Sequence, residues 1–229
     1  MAVDKEIKRR ITQEWLKAFP GLQPYAQNKL YKNIGPFVMG IELINLPRSE
    51  NYRPHFVIYP LYRNNIKSCL DYPCLMREFF NSKKLQINLP YNDTRELFKD
   101  AQKIVAQSLK FEFKEDVSLL DLYSLVDDRL INDPIFQRHS GHRASLLEVK
   151  FYAAVYTRSQ TEMEKIINQV KDEQKNWDMK MFESWHGQFD LWIKGLERNA
   201  INTEEFFKKI VINKQDKKID KLLSSDLKM

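Results

Sequence analysis

The densest chemistry in this 229-residue chain is Arg138-His139-Ser140-Gly141-His142-Arg143, with two histidines and two arginines around one glycine. Guanidinium forks match phosphate and carboxylate oxygens, imidazoles titrate near neutrality, and glycine admits a close backbone approach. Arg138, His139, Ser140, His142 and Arg143 are therefore the candidate anion-binding residues, placed at the start of a helix that runs to about Tyr156. Free amides and the positive end of that helix would reinforce the arginines. Two other readings compete. The segment can be a solvated inter-helix loop that caps its neighbours, which is the reading favoured here, or Arg143 can pair with Asp128 or Asp133 to hold the loop. A metal would need a third ligand beside His139 and His142, and Asp127, Asp128 or Asp133 could supply it only if the chain folds back; no metal site is expected.

A second concentration is aromatic: Trp177, Trp185 and Trp192 with His186 and Phe189. Aromatics among basic residues can stack single-stranded bases, but Glu183 and Asp190 stand where such a face would avoid them. Trp177, Trp185, His186 and Trp192 are read instead as core or as a partner-facing surface. His55, between Pro54 and Phe56 at a strand start, is read as a packed histidine. Cys69 and Cys74 would each need a base and an orienting carboxylate to act as nucleophiles. No serine sits in a G-x-S-x-G elbow, and adjacent carboxylates such as Asp127–Asp128 and Glu204–Glu205 diverge by about 100° on a helix. No catalytic residue is assigned.

Six glycines, at 21, 35, 40, 141, 187 and 195, never cluster as a phosphate cradle requires. Gly35 and Gly40 have a P-loop spacing, but Ile41-Glu42 follows where Lys and Ser or Thr are needed. No nucleotide-type cofactor, and no cofactor of any kind, is expected. Two lone cysteines, a charged amphipathic start and no apolar run of about 20 residues argue for a reduced, cytoplasmic protein outside the membrane. The net charge of +6 is concentrated at the end: residues 206–229 carry seven lysines and three aspartates, leaving +2 for the first 205. Such an end is usually a solubilising or frayed tail; nucleic-acid contact through it and through Arg9–Arg10 would be weak and non-specific.

The elements that must position these residues follow from periodicity. Val3, Ile7, Ile11, Trp15 and Ala18 fall on one face of a helix that Phe19-Pro20-Gly21 ends. Phe37–Ile44 and His55–Tyr59 are rich in β-branched and aromatic residues and read as strands of an antiparallel meander, the first central, the second at a sheet edge or ending at Pro60. Pro73–Phe80 reads as a short helix, and Leu85, Ile87 and Leu89 as a half-buried strand. Asp93-x-x-Glu96 has the form of a capping box before a helix through Ser108. After Glu115 strand signals nearly vanish and the pattern is helical: one helix opened by Ser118 and broken near Pro134, one from His142 or Ala144, one capped by Thr161-x-x-Glu164, one through Met181, Trp185, Phe189, Trp192 and Leu196, and a last one capped by Asn202-x-x-Glu205. The fold class is α+β: an N-terminal helix with a small antiparallel sheet of three to four strands, then a helix-rich C-terminal half. We expect an α+β part over 1–113, a helical part over 114–213 packed on it as one body, and a Lys-rich tail over 214–229.

The layout of the front half resembles that of some small bacterial proteins that act by binding a partner, immunity proteins among them; this is likeness of fold only. With 14 Phe, 10 Tyr and 4 Trp available as contact anchors, the expected function is a non-enzymatic, cytoplasmic protein-interaction protein of immunity, adaptor or accessory-subunit type, with another protein as its partner. The alternatives are a hydrolase or phosphate-handling enzyme using the Arg138–Arg143 loop, and a weak nucleic-acid binder using the basic termini.

Overall fold

The computed structural model describes residues 4–92 and 95–229. Helix α1 (Lys5–Ala18) opens at Asp4, whose carboxylate accepts the Glu6 N–H at 2.9 Å, and buries Ile11 and Trp15 as its apolar stripe demands. Val3 and Asp93, which completed the expected stripe and capping box, lie outside the described residues.

Next comes an antiparallel meander: β1 (Gln23–Ala26), β2 (Lys29–Ile34), β3 (Phe37–Asn45), β4 (Asn51–Pro60) and β5 (Leu75–Glu78), in that spatial order. β3 is central, as its apolar run indicates, and Pro60 ends β4. Two short strands join them, β6 (Leu89–Pro90) on β4 and β8 (Ser224–Ser225) on β2, so among the described residues the sheet has seven strands, more than the three or four expected. The segment read as a helix at 73–80 is the strand β5, with Met76 exposed and Leu75 buried, because β4 offers an unpaired edge there. The alternating run at 85–89 pairs only at Gln86, through a bridge to Phe80, and at Leu89; Leu85 is exposed.

The pairing register fixes the two faces of the sheet. Tyr52, Phe56 and Arg77 point to one, where Trp15, Phe111, Phe113 and Asp128 meet them. Lys29, Tyr31, Asn33, Glu42, His55 and Tyr59 share the other.

The helical half consists of α3 (Arg95–Leu109), α4 (Leu119–Asn132), α5 (Pro134–Arg138), α6 (Ser140–Tyr156), α7 (Gln160–Glu173), α8 (Met179–His186), α9 (Phe189–Ile201) and α10 (Glu204–Lys214), with α2 (Ile66–Asp71) between β4 and β5. Ser118 caps α4 as expected. Thr161 does not cap α7, which begins two residues earlier after Ser159, and Thr203 rather than Asn202 occupies the cap position of α10. The single helix read through Met181–Leu196 is two: Gly187 takes φ 73°, which glycine adopts without strain, and α8 ends there.

The Lys-rich end is docked, not frayed. Ile219, Leu222 and Leu227 are buried, β8 pairs with β2, and β9 (Leu227–Lys228) pairs with β7 (Val117–Ser118). One cluster of buried apolar residues runs from Ile11 to Leu227. No described helix is long and apolar enough to cross a membrane.

Candidate functional site

The structure brings the two concentrations of chemistry together at the junction of α5, α6 and α8. His139 caps α6: its Nδ1 accepts the His142 N–H at 3.2 Å, placing the proton of the neutral ring on Nε2. Ser140 is buried, and its hydroxyl accepts the Asp178 N–H at 2.8 Å, tying the start of α6 to the start of α8. Arg138 is exposed and makes no ion pair among the described residues.

Arg143 is fully engaged. It grips Glu173 with Nε and Nη2 at 2.5 and 2.9 Å and donates from Nη1 to the Leu130 carbonyl at 3.1 Å. The expected partners are taken elsewhere, Asp128 by Arg77 at 3.0 Å and Asp133 by Arg129 at 2.7 Å. Of the five candidate anion ligands, then, one is a helix cap, one an inter-helix tie and one a bidentate structural pair.

Gly141 does admit a close approach, but by a ring. A Cβ built there would stand 2.8 Å from Cγ of Trp185. The indole lies across the first turn of α6, with His142 at 4.7 Å and His139 at 5.3 Å between centroids and Tyr72 at 5.6 Å on its other flank. The His139 and His142 rings lie 4.0 Å apart between centroids, tilted by 36°. Burial, with His139 beside it, lowers the pKa of His142 below the ordinary imidazole value. Tyr72 is 51% exposed and Trp185 44% exposed. Arg63 holds the loop that carries Tyr72, donating to the Ser68 and Tyr72 carbonyls at 2.9 and 3.1 Å.

Trp177, Trp192 and His186 belong to the inside of the same junction. They pack with Phe182 and Phe189, and the Trp192 indole N–H donates to Glu148 at 2.5 Å. His186 Nδ1 stands 3.7 Å from Glu148, and its Nε2 is 2.9 Å from the Gly141 carbonyl and 3.4 Å from Ser145 Oγ. Burial pushes the His186 pKa down, but the Glu148 carboxylate and the Gly141 carbonyl outweigh it and the net shift is upward.

Ser145, His186 and Glu148 stand in the order of a nucleophile, a base and an orienting acid. A working base must offer its Nε2 lone pair to the hydroxyl. Here Nε2 faces a carbonyl, which only accepts, so it carries the proton; Ser145 itself donates to the Gly141 carbonyl at 3.1 Å. The row staples α8 to α6. The thiols are equally unsuited to attack: burial raises the pKa of Cys69 and pushes Cys74 up to about 12. Among the described residues no group of three or more His, Cys, Asp or Glu could hold a metal.

Two features escaped the sequence reading. Tyr72 joins Trp185 only through tertiary packing, with no local signal. Glu42 could have been found: it is the one charge in the apolar run of β3, and it is buried, accepting from Tyr31, from Tyr59 at 2.9 Å and from Lys29 at 3.0 Å. Burial and this carboxylate hold both phenols protonated, with pKa values raised far above the ordinary range. His55 is buried beside this network, 3.5 Å from Glu78, and burial lowers its pKa.

Comparison with protein-family models, with curated proteins and with solved structures gives no match to this chain.

Proposed function

We propose that this chain is a non-enzymatic interaction protein that binds a protein partner through the Tyr72–Trp185 patch, with His139 and His142 against the indole and the exposed Arg138 next to His139 in sequence. The observation that carries the reading is the support given to two half-exposed rings. Trp185 is seated on Gly141 and flanked by both histidines, and the Tyr72 ring lies 5.6 Å from the indole on a backbone that Arg63 holds through the Tyr72 carbonyl. Pre-organised Trp and Tyr side chains with a nearby Arg are the residues that anchor protein interfaces, because they bury large area at little entropic cost. The proton on His186 Nε2 weighs against the hydrolase reading, and the coverage of Gly141 by an indole weighs against a phosphate cradle. Two free, buried thiols, Cys69 and Cys74, favour a reducing, cytoplasmic setting.

The test is a tagged pull-down from host cells with wild type and with Tyr72→Ala/Trp185→Ala, followed by a binding isotherm on the purified partner. Loss of a hot-spot residue costs about 2 kcal/mol, roughly 30-fold in Kd. The reading predicts at least that loss in the double variant, measured well below its melting temperature and with the far-ultraviolet circular dichroism of wild type. Equal recovery and equal Kd for the two proteins would overturn it.

A further inference from the structure

A second feature lies well apart in sequence from that patch. Between α1 and the first turns of α3 is a cleft of about 440 Å³. Among the described residues three cations line it, Arg10 from α1 and Arg95 and Lys99 from α3, against one carboxylate, Glu14. None of the three makes an ion pair among the described residues, whereas Arg53, Arg77, Arg129 and Arg143 all do. A fourth cation, Lys8, stands 6.0 Å from the centroid of the Tyr91 ring, which also lines the cleft. Like charges gathered in a concavity repel one another, and the low-dielectric wall strengthens the field they present to an anion.

The floor is aromatic and held in place. The rings of Tyr52 and Tyr91 are 5.1 Å apart, Tyr91 donates to Asn45, and the Trp15 indole donates to the Tyr52 hydroxyl at 3.2 Å. Phe98 meets Trp15 edge-on at 5.5 Å and closes the α3 side. A basic rim over a ring-lined floor suits a ligand with a flat body and an anionic group, and the volume lies within the range of small-molecule sites.

We propose that this cleft binds a small phosphorylated aromatic ligand of the nucleoside-monophosphate type, with Arg10, Arg95 and Lys99 holding the phosphate and the Tyr91–Phe98 floor receiving the ring. Guanidinium groups take phosphate oxygens in pairs, and an ammonium adds a point charge.

The experiment is calorimetric titration of the full chain with AMP, with adenosine and with inorganic phosphate, repeated on Arg10→Ala/Lys99→Ala. The proposal expects saturable AMP binding, with adenosine and phosphate each at least tenfold weaker, and at least a tenfold loss of AMP affinity in the variant. Both substitutions are at exposed positions, so the unliganded melting temperature stays where it is in wild type. Absence of AMP binding at millimolar concentration would overturn it. So would phosphate alone matching AMP, which would make this a simple ion site, or a variant that binds AMP as wild type does. None of these outcomes bears on the Tyr72–Trp185 patch.

Discussion

Arg143 shows how the same side chain can serve recognition or architecture, and what decides is whether its donors are already spent. Its fork faces the two oxygens of Glu173, and its remaining nitrogen reaches the last turns of α4, so the residue joins α4, α6 and α7. Arg143→Ala would strip Glu173 of its guanidinium partner in a site where both side chains are only 21% exposed. Hydrogen bonds to charged groups contribute about 1.5–3 kcal/mol each when removed singly, so the variant should lose about that much stability. The loss should be the same with and without phosphate. Arg138→Ala, at an exposed position, should stay within about 0.5 kcal/mol of wild type. Urea titration of both variants in phosphate and in a neutral buffer checks this; an Arg143→Ala loss seen only in phosphate would restore the anion reading.

At the scale of elements, α8 is held on α6 by few direct bonds: the Ser140–Asp178 tie, the indole on Gly141, and His186 between Glu148 and the Gly141 carbonyl. The last is pH-sensitive. The folded-state pKa of His186 is raised, so its contribution is fully present below the unfolded value of about 6.5 and is lost as pH rises through the folded value. His142 has the opposite sign: its pKa is lowered, so its contribution holds above about 6.5 and fades as pH falls. His186→Gln keeps a donor for the Gly141 carbonyl but cannot carry charge. Its melting temperature should therefore fall further below wild type at about pH 6 than at about pH 8. An equal deficit at both values would show that the imidazole acts by shape alone.

At the scale of the whole molecule, the C-terminal segment closes the fold. It pairs with β2 and β7, and it is pinned by Asn33 to the Ile219 carbonyl at 3.0 Å, by Tyr156 to Asp226 at 2.7 Å and by Lys228 to Asp116 at 2.5 Å. Ile219 has no exposed surface. Truncating a buried Ile to Ala costs about 2–5 kcal/mol, through lost transfer energy and the cavity left behind. Ile219→Ala should lower the denaturation midpoint accordingly. An unchanged midpoint would mean that the segment is dispensable for stability, as its charge alone suggests.

Much of the local structure was legible because local signals carry it. The spacing of Ile7, Ile11 and Trp15 determined α1, the β-branched run determined β3 as the central strand, and Ser118 determined where α4 begins, each through contacts within a few residues. Gly187 was readable as a breaker, but the four-residue aromatic spacing on either side hid it, since the period survives a turn of suitable length. What the tertiary structure alone decided is pairing across distance: Arg143 with Glu173, Tyr72 with Trp185, β8 with β2. A side chain's neighbours along the chain constrain its conformation strongly. Its partner across the fold is chosen by register, loop closure and the competition of every other donor and acceptor, and that choice exists only once the chain has closed on itself.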